Sequence, residues 1–168
     1  MKRNIITIAL ALLINTAIAN PIDRSVYSID YTKKHLTSAP VPVKIQIAIL
    51  FDTSNSMDGL IDQAKSRIWN IVNEMTNLTY NGQTPTIEFA LYDYGNQTLS
   101  SSSNFIRQQT PFTTDLDFLS QKLFALSTNG GDEYCGAVIE RSIMDLAWSF
   151  NANDLKMIYI AGNEPFNQ

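Results

Sequence analysis

The stretch "KIQIAILF" (44–51) constrains this chain more than any other segment. It is rich in β-favouring residues and becomes continuously apolar toward its end. A strand buries successive residues only when both of its faces are covered. Covering both faces takes helices, and the next segment supplies one: Leu60, Ile61, Ala64, Ile68, Ile71, Val72 and Met75 fall at helical spacing. The turn-forming "NLTYNGQTP" (77–85) follows, then a second strand, "TIEFALYDY" (86–94). "LSSSSN" (99–104) reads as a loop or hairpin tip, and "NFIRQQTPF" (104–112) as a third strand returning beside the second. Thr114 with Asp117 can cap a helix running to about Leu126. A further helical pattern, Tyr134 to Trp148, places Ala137, Val138, Met144 and Trp148 on one side, and "KMIYIAG" (156–162) is the fourth strand.

The order β-α-β-β-α-α-β predicts an α/β fold. Strands separated by helices join by crossovers into an open, Rossmann-like, mostly parallel sheet with helices on both faces. The third strand is the exception, expected antiparallel to the second. In such sheets ligands bind beyond the carboxyl ends of the strands. That rim collects Asp52, Ser54, Ser56, Asp93 and the loop after "YIA".

The first 43 residues read differently. Lys2 and Arg3 precede an apolar run, Ile5 to Ile14, and Ala17-Ile18-Ala19 offers a small-x-small cleavage site. This is the pattern of an export signal, residues 1–19, removed to leave Asn20 first. The run is shorter than the roughly 20 residues that span a bilayer, so no membrane span is expected after cleavage. Residues 20–43 form an extended leader, with Pro40 and Pro42 disfavouring helix and "VYSIDY" (26–31) either a short edge strand or plain linker. The domain proper is 44–168, in a bacterial periplasm or the medium. A net charge of -4 and a pI near 4.8 argue against nucleic-acid binding. One histidine, His35, and one cysteine, Cys135, exclude an ordinary zinc site and an internal disulfide. Cys135, Trp69 and Trp148 read as packing residues.

Where the first strand meets its helix, Asp52, Ser54 and Ser56 alternate in "FDTSNSM". One carboxylate and two hydroxyls pointing the same way make an oxygen cup for a hard cation such as magnesium. The alternative is plain capping of the helix by Ser54 or Ser56.

"ILFDTSNSM", after a buried strand and before an amphipathic helix, resembles the metal-ion-dependent adhesion site of von Willebrand factor type A domains. The resemblance extends over Lys44 to Gln168 in element order. It implies an exported protein-binding module, not an enzyme, that grips a protein or peptide carboxylate through bound Mg2+ or Mn2+. It implies Asp52, Ser54 and Ser56 as metal ligands. A second loop of that family supplies a Thr or Asp, and "STNGGDEYCG" is similar to the Gly-Gly-acid loops of bacterial members. That carries the role to Asp132, with Thr128 as the runner-up and an ordinary turn as the plain alternative. The third loop departs from the family: "YIAGNEPF" has Ala161 and Gly162 where an Asp is usual, so metal affinity weaker than the family's is expected unless Asn163 or Glu164 substitutes. Asp93 is a further outer-layer carboxylate or a plain loop residue. About four of the family's usual six strands are present, which implies a chain truncated at its C-terminus with its last strand exposed as an edge. The competing class is an enzyme, because a strand ending in "FDTS" also resembles haloacid dehalogenase-type phosphotransferases with Asp52 as nucleophile. Their second Asp is replaced here by Ser54, which weighs against that class.

Overall fold

The computed structural model describes the backbone of residues 8–11 and the whole of residues 43–80 and 82–163. The strand β2 (Lys44–Asp52) sits in the middle of the sheet and is buried from Ile45 to its end, as its apolar run requires. Its neighbours are β3 (Thr86–Tyr94), in parallel register from Lys44↔Thr86 to Asp52↔Tyr94, and β5 (Leu155–Ala161), parallel from Ile45↔Leu155 to Phe51↔Ala161. β4 (Ile106–Thr113) returns antiparallel to β3, with register shifts near Leu91. The α/β architecture and the mostly parallel sheet thus follow the sequence pattern.

Alternation along β2 divides the core in two. Ile45, Ile47, Ile49 and Phe51 face α1 (Ile61–Met75) and α2 (Leu116–Phe124), where Ile68, Val72, Leu119 and Leu123 close the layer. Ala48 and Leu50 face the other way, with Val138 and Leu146 from and beyond α3 (Cys135–Asp145). Trp69 and Trp148 pack against these two layers, as expected. One cap differs: Asp115, not Thr114, accepts from Phe118 N–H at 2.9 Å and starts α2. Thr113 Oγ1 in turn accepts from Asp115 N–H, so the cap residue is itself held in place.

The outer edge of β5 holds a surprise. A strand β1 (Ile8–Ala11) pairs with it antiparallel, from Ile8↔Ala161 to Ala11↔Ile158, giving the order β1-β5-β2-β3-β4. With residues 1–19 present, the outer edge of β5 is covered by a segment of the apolar run near the N-terminus; the bare edge is expected of the chain from Asn20 onward, which lacks this strand. The rest of that run, the cleavage site, the 26–31 strand and Glu164 lie outside the described residues. Among the described residues no helix is long and apolar enough to cross a membrane.

Candidate metal centre

β2 ends at Asp52 with its carboxylate 1 % exposed, and the chain then leaves the sheet through a tight, well-fastened loop. Thr53 donates twice to Tyr94 O, from its N–H at 2.9 Å and its hydroxyl at 3.0 Å, tying the loop to the end of β3. Asp52 Oδ1 accepts from Ser54 N–H at 2.8 Å, which turns the chain so that Ser54 and Ser56 lie side by side, Oγ to Oγ 2.8 Å. Met57 is fully buried beneath the loop and anchors it to the core. Asp52 and Ser54 form the floor, and exposed Ser56 stands at the mouth.

Helix capping does not explain these hydroxyls. α1 begins at Ile61 behind Leu60, and neither Ser54 nor Leu60 makes a side-chain cap bond. The serine side chains instead face residues from two other loops.

The second loop is sewn to the first. Asn55 N–H donates to Gly130 O at 2.8 Å, Gly130 N–H returns to Asn55 Oδ1 at 3.1 Å, and Asn129 N–H reaches Thr53 O at 2.9 Å. Gly130 has φ +102°, and a Cβ there would lie 2.6 Å from Gln97 N, so glycine is required. The path after Gly130 decides which acid turns inward. Asp132 is exposed, whereas Glu133 is 7 % exposed and its Oε1 lies 3.4 Å from Ser56 Oγ. Thr128 directs its hydroxyl to Asp58. The Gly-Gly-acid spacing points to the first of two consecutive acids, whereas the inward-facing one is the second, Glu133. The only signal in its favour was that adjacency.

The third loop also contributes. A Cβ on Gly162 would lie 3.0 Å from Tyr94 Oη and 3.3 Å from Asp52 Oδ2, so a larger residue would press on the carboxylate. The next residue takes over: Asn163 accepts from Ser56 Oγ at 2.8 Å and donates to Ser56 O at 2.9 Å. Asn163 thus reaches the first loop without bringing a charge.

Asp93 belongs elsewhere. It is fully buried, and its carboxylate receives Arg107 Nη2 at 2.8 Å, Arg107 Nε at 3.1 Å and Gln109 Nε2 at 3.0 Å. This bidentate pair clamps β4 to β3, and the pairing in turn raises the pKa of the Arg107 guanidinium. A role for Asp93 beside a metal is not what its geometry serves.

A cradle remains at the centre. Gly95 has φ +79°, and a Cβ on it would sit 3.1 Å from Glu133 Cγ, 3.3 Å from Asp52 Oδ1 and 3.3 Å from Ser54 Cβ. The Asp52 carboxylate, the stem of Glu133 and the Cβ of Ser54 therefore border one point on the rim. Oxygen donors of this kind, anionic and neutral together, suit a hard divalent cation. Among the described residues no three His, Cys, Asp or Glu side chains gather, so any metal here relies on hydroxyls as well as carboxylates. Behind the cradle, burial first and then the Asp52 charge push the Tyr94 phenol far above its ordinary pKa. Burial likewise raises the Cys135 thiol, against the lowering effect of its hydrogen bond with Tyr94, and keeps it a packed thiol.

No protein-family model and no curated protein matches the chain. Solved structures do. The von Willebrand factor domain of the type V pili tip protein Mfa5 from Porphyromonas gingivalis aligns with TM-score 0.51 and 23% identity, over 70% of this chain and 37% of that one. Three N-terminal domains of the same protein align with TM-score 0.49 and 23% identity, over 70% and 19%. Proximal thread matrix protein 1 from the mussel byssus, with a zinc-occupied MIDAS motif, aligns with TM-score 0.46 and 13% identity, over 66% and 26%. This chain thus spans little more than a third of the length of the first of these.

Proposed function

We propose that this chain, whose fold is that of a von Willebrand factor A-type domain, is an exported module that holds a divalent cation and through it grips a carboxylate of a protein or peptide partner. The observation that carries this reading is the convergence of Asp52, Ser54 and Ser56 with Glu133 around the Gly95 cradle, where Ser56 Oγ stands 3.4 Å from Glu133 Oε1. Asp52, Ser54, Ser56 and Glu133 would hold the ion, with Glu133 taking the place that spacing gave to Asp132. When bound, the ion supplies an electrophilic centre able to accept an oxygen from a partner. The chain's own part is positional. Asp52 and Ser54 are rigid and buried, while Ser56 at the mouth leaves one side of the site open to solvent.

Asp52 and Glu133 bring like charge to one rim, and a cation there is attracted to both. Magnesium or manganese fits this oxygen-donor set. Asn163 offers a neutral oxygen where the family's Asp would add charge, which favours affinity below the family norm. In this reading residues 1–19 direct export, Ile8–Ala11 cover β5 only until that segment is removed, residues 20–43 lead into the domain, and 44–168 carry the site.

The test is thermal unfolding of the full chain with magnesium, manganese or chelator. At about a hundredfold excess over Kd, metal should add about 2.7 kcal/mol and raise Tm by roughly 5–10 °C. Asp52→Asn should keep the fold, because the amide oxygen can still accept from Ser54 N–H, yet lose the metal response. An equal shift in wild type and variant would exclude the assignment.

A further inference from the structure

Two aromatic rings flank this rim without belonging to the core. Phe105 and Tyr134 stack with ring centroids 6.3 Å apart and planes 10° from parallel. Tyr134 is 43 % exposed and follows Glu133 directly, so its backbone is continuous with one wall of the cradle. Phe105 is half-buried, and its carbonyl accepts from Gly95 N–H at 3.1 Å, which ties it to the cradle floor. Both rings are thus attached to the residues that border the metal position.

The backbone that presents Phe105 is strained. Asn104 and Phe105 have φ of +54° and +52°, two consecutive left-handed non-glycine residues. For asparagine that conformation is common, but for a bulky residue it is costly. The hairpin tip fixes it in place: Phe105 N–H donates to Ser100 O at 3.1 Å and Asn104 N–H to Ser101 O at 3.0 Å. Strain of this kind persists where the surroundings over-determine it, and an observed outlier points toward function. Here it holds Phe105 in a ridge against Tyr134, joined to the cradle through Gly95 and Glu133.

We infer that this ridge reads the residue next to the captured carboxylate, and that the preferred partner is an extended peptide whose acid is flanked by an aromatic side chain. The inference rests on the proposed metal site and adds a specificity surface to it. A peptide carboxylate at the cradle carries its neighbouring side chain only about 3.8 Å further along the chain, and the ridge is one residue from Glu133 and one hydrogen bond from Gly95. An aromatic neighbour can then stack on the half-exposed rings and shed water from both surfaces, whereas glycine offers nothing to stack.

Binding of two short peptides, one carrying Phe-Asp-Phe and one Gly-Asp-Gly, to the magnesium-loaded full chain tests this by calorimetry. Placing phenylalanine on both sides removes dependence on chain direction. Wild type should prefer the aromatic peptide about five- to tenfold. Tyr134→Ala should bring the two affinities together while leaving the metal-induced Tm shift and the Gly-Asp-Gly affinity unchanged. Tyr134→Phe should retain the preference. Tyr134 makes no side-chain cap bond to α3, the unchanged metal-induced Tm shift checks that its truncation leaves the protein folded, and Phe105→Ala provides a second route to the same loss. Equal affinity for both peptides in metal-loaded wild type would overturn the ridge and leave the metal site standing. A preference that survives both alanine variants would overturn it as well. Absence of any metal shift, or of any peptide capture by loaded protein, would sink the site and the ridge together.

Discussion

At the amino end of β2, Gln46 is 2 % exposed, and its amide donates to Glu88 Oε2 at 2.8 Å and Ala147 O at 3.3 Å while accepting from Ser149 N–H at 2.7 Å. Lys44 meets the other Glu88 oxygen at 2.8 Å, and Asp154 accepts from Lys44 N–H and Ser149 Oγ. Donors and acceptors alternate, and a positive charge faces a negative one. At the carboxyl end of the same strand the company is different. Asp52 and Glu133 are both carboxylates, capable only of accepting when ionised, and the groups around them include the Ser54 and Ser56 hydroxyls and the Tyr94 phenol. One cluster pairs opposite charges, and the other brings two like-charged side chains to one rim. A charge-matched network serves stability, whereas carboxylates and hydroxyls gathered on one rim are a donor set that suits the proposed cation.

The sharpest way to break that contrast is to mutate the amino end. Gln46→Ala should destabilise the chain by about 2–3 kcal/mol, because Glu88, Ala147 and Ser149 each lose a buried partner. The loss should be the same with magnesium or chelator, read from denaturant midpoints. A metal-dependent loss would mean that the two ends are coupled and the contrast false.

At the carboxyl end the expected effect is smaller in stability and specific to metal. Glu133→Gln should weaken magnesium at least tenfold, since loss of even a carboxylate that only supports a ligand costs about 10–100-fold. Asp132→Asn should leave it unchanged, since that side chain faces solvent. Calorimetric titration of both variants separates the two adjacent acids. Reversal of the two results would return the role to Asp132.

The smallest effect belongs to a buried polar atom of neither cluster. Tyr92 Oη is buried without a hydrogen-bond partner among the described residues. Burial raises its pKa from 10.0 to about 12. The folded state therefore holds the proton after the unfolded chain has begun to lose it. Stability contributed by this group is complete below pH 10 and declines as pH rises from 10 toward about 12. Tyr92→Phe should remove that part of the alkaline loss and be neutral or stabilising by up to about 1 kcal/mol at pH 7. Unfolding midpoints from pH 8 upward measure it, and a variant less stable at neutral pH would show that the hydroxyl is engaged after all.

Most of the fold was legible because periodicity reports burial. The continuous apolar run of β2, the helical spacing of Ile61 to Met75 and the short connection before β4 each have one packing solution in an open sheet. The first loop was legible for the same reason, since Asp52, Ser54 and Ser56 lie close in sequence and their convergence needs only a tight turn. Periodicity was silent on the second and third loops. Which of Asp132 and Glu133 turns inward depends on the path after Gly130, and that path is set by packing against Gln97 and bonding to Asn55.

By itself, then, the sequence determined the sheet, its helices and the oxygen-bearing first loop, since these follow from local pattern and the burial it demands. Tertiary structure alone decided that Glu133 and Asn163 join that loop, that Asp93 is committed to Arg107, and that Ile8–Ala11 pairs with β5. Those outcomes depend on contacts between residues far apart in the chain. Spacing along the sequence carries no information about which of two neighbouring side chains meets such a partner.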